Sequence, residues 1–94
     1  MTNSELKEQI AEMCMFDETI LDNIIILEGD EFADGAIGLS SDDHVVYSYE
    51  KLVDSLSKFY GGELEAIEWL EYNTIRSLPY MDSVGNTPII IHEF

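Results

Sequence analysis

The sequence has very little positive charge. Lysine and arginine together number 4 against 20 aspartates and glutamates, which gives a formal net charge of −16 at pH 7. A protein that binds DNA or RNA directly needs a basic patch, and so few cations cannot form one. The same field repels anionic lipid and attracts positively charged partners. Direct binding to nucleic acid or to a membrane surface is therefore excluded.

Cysteines and long apolar runs are also scarce. Cys14 is the single cysteine, which rules out an internal disulfide and suits a reducing compartment. No apolar run approaches the length of a membrane span. The first residues, MTNSELKEQ, lack the basic and apolar regions of a signal peptide. We expect a cytosolic protein.

Sequence motifs for catalysis and phosphate binding are missing too. The chain contains no G-x-S-x-G, no paired Cys/His signature, no G-x-G-x-x-G and no Walker loop. Its charge would also oppose a phosphorylated substrate. We predict that the protein is not an enzyme and expect no cofactor.

Apolar residues are plentiful enough to form a core. They make up 46% of the 94 residues, and we predict a single domain over residues 1–94. The pattern predicts an α+β fold, with a small, mostly antiparallel sheet of about four strands and three helices in the order α-β-β-β-α-α-β. The segments are, in order, TNSELKEQIAEMCMF, IIIL (Ile24–Leu27), AIGL, HVVYSY, YEKLVDSLSKFY, ELEAIEWLEYNTIRSL and PIIIHEF.

The ends of the predicted helices carry recognisable signals. Thr2 and Glu5 have the T-x-x-E spacing of a capping box. Pro79 is expected to end the third helix, and DSVGN to form a turn before the last strand. Along the first helix, residues at helical spacing form one apolar face, on which Cys14 would be a small core residue. That face consists of Leu6, Ile10, Met13 and Cys14.

The third predicted helix combines aromatic and acidic residues on one face. At 100° per residue, its core side gathers Ala66, Ile67, Leu70 and Thr74. The opposite side gathers Glu65, Glu68, Trp69 and Tyr72. Two interpretations stay open for this side. Either the helix packs on both sides, or Trp69 and Tyr72 anchor a protein interface, where both residue types are enriched.

The segment EGDEFADG concentrates carboxylates between Glu28 and Gly35. It does not match an EF-hand loop, because Phe32 takes a ligand position whether the loop starts at Glu28 or at Asp30. Rows of carboxylates can instead imitate the phosphates of DNA and dock in the groove of a DNA-binding protein. The alternative is a solvated surface that serves solubility. The acidic groups are Glu28, Asp30, Glu31 and Asp34, then Asp42 and Asp43, then Glu63, Glu65, Glu68 and Glu71.

A metal site would have to be assembled by the fold. Cys14, His44 and His92 show neither C-x-x-C nor H-x-x-x-H spacing. Both histidines lie in predicted strands and would meet if those strands pair, with Asp42 or Asp43 as further ligands. Whether these residues hold a metal is left open by the sequence.

Two stretches, VVYSYEKLVDSL and EAIEWLEYNTIRSLPYMDSVGNTPIII, resemble a family of small acidic proteins encoded by phages and prophages of Gram-positive bacteria. The similarity covers about two thirds of the chain, and EWLEYNTIRSLPY is its most specific part. The family has no assigned activity or site residues. Because related prophages also carry small acidic anti-CRISPR proteins, the resemblance implies an accessory protein of a mobile element that inhibits defence in the host bacterial cytosol.

From these observations we expect a non-enzymatic inhibitor that binds a basic, nucleic-acid-handling host protein. The best single target is a single-effector CRISPR nuclease, which holds its heteroduplex in a positively charged channel. The alternatives are a zinc-stabilised structural or regulatory module, with a homodimer through a sheet edge, and a phage regulator of a transcription protein. The expected partner-binding residues are Glu28, Asp30, Glu31, Asp34, Asp42, Asp43, Glu65, Glu68, Trp69 and Tyr72.

Overall fold

A three-stranded mixed sheet organises the fold. The computed structural model of the chain describes residues 1–81 and 85–94. Strands β1 (Ala36–Leu39) and β2 (Val45–Ser48) pair antiparallel, whereas β3 (Ile89–Ile91) joins the other side of β2 in parallel. The α+β class is confirmed, but the prediction of a mostly antiparallel sheet of about four strands is wrong.

The helices are more numerous and more varied than the three predicted. Two short helices, α2 (Glu18–Leu21) and α3 (Asp30–Ala33), lie between the predicted segments. The third predicted helix changes from α-helix to π-helix and then to 3-10 helix along its length. None of the helices in the described residues is long and apolar enough to cross a bilayer. The helices are α1 (Asn3–Met13), α2 (Glu18–Leu21), α3 (Asp30–Ala33), α4 (Tyr49–Tyr60), α5 (Glu63–Trp69), a π-helix (Leu70–Thr74), a 3-10 helix (Ile75–Ser77) and α6 (Leu78–Met81).

Side chains that satisfy backbone groups set several of the helix ends. The predicted capping box of α1 is present, with Thr2 and Glu5 each accepting a hydrogen bond from the other's backbone N–H. Ser48 caps α4 by accepting from the Lys51 N–H, and Gly61 ends α4 in the left-handed conformation. Asp17 caps α2 by accepting from the Thr19 N–H, and this cap was not predicted from the sequence.

The apolar face of α1 is narrower than predicted. Leu6, Ile10 and Cys14 are buried, and burial raises the pKa of the Cys14 thiol, as expected for an inert core residue. Met13, however, is 59% exposed, so its predicted core position is wrong. The helix ends at Met13, and the chain then turns through left-handed conformations at Met15 and Phe16.

The predicted strand Ile24–Leu27 is absent from the sheet. Its first residue forms only an isolated parallel bridge with Asn86. At its other end, the Leu27 N–H donates to the buried Tyr47 hydroxyl at 3.0 Å, and the Leu27 carbonyl accepts from Asn3 Nδ2 at 3.1 Å. Because side chains satisfy both backbone groups of Leu27, this residue needs no neighbouring strand.

The connection between β2 and β3 explains their parallel pairing. Helices α4 and α5 and the helical segments after them lie between the two strands, and such a long crossover returns the chain in its original direction. Pro79 does not end this helical stretch as predicted, because it falls in the first turn of α6, where its missing N–H is tolerated. The turn predicted at DSVGN falls mostly in residues 82–84, outside the described part of the chain.

Replacing Tyr47 by phenylalanine should destabilise the fold. The substitution leaves the buried N–H of Leu27 without an acceptor, and we expect the free energy of unfolding to fall by about 1–3 kcal/mol in urea denaturation. Tyr49→Phe is the matched control. It removes a hydrogen bond to Glu71 at the surface and should cost below about 1 kcal/mol. Equal losses in the two variants would contradict this role for Tyr47.

Gly35→Ala should also destabilise the protein, whereas Gly38→Ala should not. A Cβ at Gly35 would lie 2.7 Å from Cγ of the buried Leu52, whereas one at Gly38 would meet no atom within 4 Å. Overpacking of this kind costs about 1–3 kcal/mol, and thermal unfolding of the two variants measures the difference. A Gly35 variant as stable as the Gly38 variant would show that Leu52 moves aside freely.

Candidate functional site

The short connection between α4 and α5 brings two helices together at Trp69. Gly61 and Gly62 form this connection with φ angles of +85° and +148°, a backbone that glycine adopts without strain. A loop of this length places the two helices side by side. Tyr60, at the end of α4, therefore lies against Trp69, at the end of α5.

The two sides of α5 and its continuation differ in burial as predicted. On the inner side, Ala66, Leu70 and Thr74 are buried, whereas Ile67, predicted to lie there too, is half-buried. On the outer side, the residues Glu65, Glu68 and Tyr72 are exposed and Trp69 is half-buried. This helical face therefore presents carboxylates and aromatic rings together at the surface.

Trp69 is held by aromatic packing from two other elements. Its ring stacks on Tyr60 with centroids 5.0 Å apart and an angle of 19°, and it lies 5.7 Å from the buried Phe32. Each such pair is worth about 0.5–1.5 kcal/mol beyond the area it buries. Phe32 comes from α3, inside the acidic stretch. The outer side of the helix therefore also packs against other elements at Trp69, which is the first of the two interpretations of this face.

Tyr72 lies in the π-helix and fits the other interpretation. It is 62% exposed, and the guanidinium carbon of Arg76 lies 4.5 Å from its ring centroid. π-helical turns are rare and occur frequently at functional sites. Here the π-helix spans Leu70–Thr74.

These residues line a shallow concavity that we call the Trp69 cleft, with a volume of about 400 Å³. A second cleft of about 450 Å³ adjoins it across Trp69 and Asn73, and Glu28 and Phe32 lie on its wall. The Trp69 cleft consists of Tyr60, Glu65, Glu68, Trp69, Tyr72 and Asn73. Sequence reasoning missed Tyr60, although the Gly61–Gly62 turn after α4 is the signal that places it beside α5.

Two carboxylates of the acidic stretch serve the fold and not this cleft. Asp30 accepts from the Asn3 N–H in the first turn of α1 at 2.8 Å. Asp34 accepts from the Met1 ammonium at 2.6 Å, and this hydrogen bond raises the pKa of the ammonium group. Both acids therefore fix the start of α1 against α3, at sites where negative charge is favoured.

The remaining carboxylates of that stretch take different positions. Glu31 is half-buried, and its backbone carbonyl accepts from Ser55 Oγ at 2.6 Å, which ties α3 to α4. Glu28 is exposed beside the second cleft. Of the four acids in EGDEFADG, Glu28 is thus the one placed next to Trp69.

Asp42 and Asp43 lie in the loop of the β1–β2 hairpin. Asp42 accepts from Ser40 Oγ at 2.8 Å, and this hydrogen bond lowers its pKa. Asp43 takes a left-handed conformation (φ +66°), and its carbonyl accepts from Asn86 Nδ2. The Ser40 N–H donates to the His44 carbonyl, so residues 41–43 close the loop, and the last of them takes the left-handed conformation, which aspartate tolerates. These two residues shape a turn, and neither lines the Trp69 cleft.

The two histidines do not meet. His44 precedes β2, and its Nδ1 lies 2.7 Å from the Thr87 carbonyl, whereas His92 follows β3 and its Nδ1 lies 2.9 Å from Glu50 Oε2. Parallel pairing places them at opposite ends of the strands, about 16 Å apart along the sheet. Within residues 1–81 and 85–94, no three His, Cys, Asp or Glu side chains are placed to hold a metal. The zinc alternative gains no support from this arrangement.

A further groove, unrecognised in the sequence, runs between α4 and α5 on another side. Its walls include Val53, Asp54 and Ile67, and its volume is about 370 Å³. Glu50 borders it and holds the last residues of the chain by accepting from the Glu93 N–H at 2.6 Å and pairing with His92. The groove is therefore bounded by a carboxylate that already has partners.

Acid should release the C-terminal residues from Glu50. The hydrogen bonds from the Glu93 N–H and from His92 lower the pKa of Glu50 below the ordinary 4.5. The interaction is therefore fully present above about pH 4.5 and is lost as the pH falls through the lower folded-state pKa. We expect the Glu93 amide resonance to titrate with a midpoint below 4.5 by NMR.

Two variants test whether Glu50 causes the titration of the Glu93 amide. Glu50→Gln should abolish the titration of the Glu93 amide, whereas Asp54→Asn, at an exposed acid one helical turn away, should leave it unchanged. A midpoint at or above 4.5 in the unsubstituted protein would contradict the contact.

No protein-family model, curated protein or solved structure was found to match the chain.

Proposed function

We propose that this protein is a non-enzymatic inhibitor that binds a basic, nucleic-acid-handling protein through the Trp69 cleft and the carboxylates around it. The observation that carries the proposal is the placement of Glu65 and Glu68 beside the half-buried Trp69 and the exposed Tyr72 in one concavity. Interfaces commonly combine aromatic anchors at the centre with charged groups at the rim.

The overall charge favours a basic partner. A net charge of −16 on 94 residues produces a negative field on every approach to the surface, and that field accelerates association with a positively charged protein. Nucleic acid itself would be repelled by the same field. A protein groove that binds DNA or RNA is positively charged and is therefore complementary to the negative surface of this protein.

We revise the set of expected partner-binding residues according to the position and contacts of each acidic residue. Glu28, Glu65 and Glu68 are exposed around Trp69 and are proposed to face the partner. Asp30, Asp34 and Asp42 are assigned instead to the structure, because their carboxylates accept hydrogen bonds that hold the start of α1 and the hairpin loop in place. Glu31 and Asp43 are left out of the proposed surface because they do not line either cleft.

Inhibition would follow from steric exclusion. A protein 39 × 26 × 25 Å in extent, bound in a nucleic-acid-binding groove, would occupy the space that the nucleic acid needs, so the two would compete for it. The proposed target, a single-effector CRISPR nuclease, and the phage setting come from the sequence resemblance alone. For that target, the step blocked would be the loading of guide or DNA into its positively charged channel.

Charge reversal at the cleft tests the proposal. In Glu65→Lys/Glu68→Lys, two attractive groups become repulsive, and we expect the affinity for the nuclease to fall at least about tenfold at low salt. Glu8→Lys/Glu12→Lys makes the same change in net charge on exposed positions of α1, away from the cleft, and should change affinity far less. Surface plasmon resonance at low and moderate salt measures both variants.

Three outcomes of this experiment would count against the proposal. Equal weakening by both pairs of substitutions would show that net charge acts without a defined surface. Affinity that does not change with salt would remove the electrostatic role. Absence of binding to the nuclease, with recovery of a different basic protein from a phage-host lysate, would replace the target.

A further inference from the structure

We propose that the Trp69 cleft recognises arginine side chains of its partner in preference to lysine. This inference rests on the proposed function and names the group that the surface would bind. A guanidinium is planar and carries five N–H donors, so it can stack on an aromatic ring and donate to a carboxylate at the same time. An ammonium is compact and strongly hydrated, and it offers charge without a flat face.

The cleft offers both kinds of contact within one concavity. The stacked rings of Tyr60 and Trp69 form a rigid aromatic wall, and Tyr72 adds a third, more exposed ring. Glu65 and Glu68 lie beside these rings, one helical turn apart. A guanidinium entering here would meet aromatic carbon and carboxylate oxygen together.

Glu65 and Glu68 form no ion pair with another described residue. Across residues 1–81 and 85–94, the ion pairs involve Asp34, Asp42, Asp54 and Glu50 as the acids, and neither Glu65 nor Glu68. Like charges three positions apart on a helix repel one another. A bound cation would relieve that repulsion, which gives the cleft charge complementarity to a basic side chain.

Arg76 shows that this helical face accommodates a guanidinium. Its guanidinium carbon lies 4.5 Å from the centroid of the Tyr72 ring, within the range of a cation–π contact. The contact joins residues in successive turns of the same helical stretch, so it is an intramolecular example of the chemistry inferred for the cleft. Exposed aromatic rings also stack on nucleobases in other proteins, but here the flanking carboxylates would repel the phosphates.

The test uses the fluorescence of Trp69, the single tryptophan of the chain. Two Gly/Ser-spaced peptides of equal length and charge, one with arginines and one with lysines at the same positions, are titrated into the full-length protein. We expect the arginine peptide to bind about three- to tenfold more tightly. Glu65→Lys/Glu68→Lys should abolish the response to both peptides, and Glu8→Lys/Glu12→Lys should retain it.

A pair of aromatic variants separates stacking from charge. Tyr72→Ala should reduce the preference for arginine to below about twofold. Phe59→Ala removes a ring of similar exposure, 66% against 62% for Tyr72, from outside the cleft and should leave the preference unchanged.

The results distinguish the inference from the proposed function. Equal affinity for the two peptides, or a preference that survives in Tyr72→Ala, would overturn recognition of arginine. In that case the charge-reversal experiment with the nuclease would still decide the proposed function by itself. If neither peptide changes the Trp69 emission, the cleft does not bind cations and the inference fails.

Discussion

The hydrogen bond from the Leu27 N–H to the buried Tyr47 hydroxyl fixes the arrangement of much of the molecule. Tyr47 lies on β2, the strand between the other two, and Leu27 is the residue just before the acidic stretch. Asn3 of α1 donates to the other backbone group of Leu27. One residue therefore connects the first helix, the central strand and the start of α3. Through α3 it also positions Phe32, which supports Trp69.

Charge is divided between two uses in this structure. Some carboxylates accept hydrogen bonds from backbone N–H groups, hydroxyls or the N-terminal ammonium, and these hold helix ends, the hairpin loop and the C-terminal residues in place. Others, such as Glu65 and Glu68, are exposed next to aromatic rings. A high net charge alone says nothing about this division. The contacts of each carboxylate separate those that stabilise the fold from those available to a partner.

Local signals in the sequence were sufficient for several elements. The capping box at Thr2 and most of the two faces of α5 were predicted, because each depends on residues within a few positions of one another. The cap at Ser48 and the glycine end of α4 depend on equally local residues. The direction of β3 was not predictable, since it depends on the path of a long helical crossover. Ile24–Leu27 was misread because an apolar, β-branched run is typical of a strand, whereas here side chains from Tyr47 and Asn3 replace the ladder.

Part of the candidate site was also predictable, because it depends on residues close together in sequence. The spacing of Glu65, Glu68, Trp69 and Tyr72 indicated a shared helical face, and they line one cleft. The π-helix and the stacking of Tyr60 on Trp69 depend on tertiary packing that no short-range pattern encodes. The contacts of Asp30 and Asp34 with the start of α1 were not predictable from the acidic stretch, because they join residues far apart in sequence.

Because β2 and β3 pair across a long crossover, forming this part of the sheet costs more chain entropy than bringing α4 and α5 together. The pairing brings together residues such as His44 and Thr87, 43 positions apart, and closing a loop of that length costs about 3 kcal/mol of chain entropy beyond a constant. Helices α4 and α5 are joined by Gly61 and Gly62 alone, so their contact requires little loop closure. The Trp69 cleft therefore lies mainly on elements that are close together in sequence, whereas the pairing of β2 with β3 joins residues far apart in sequence.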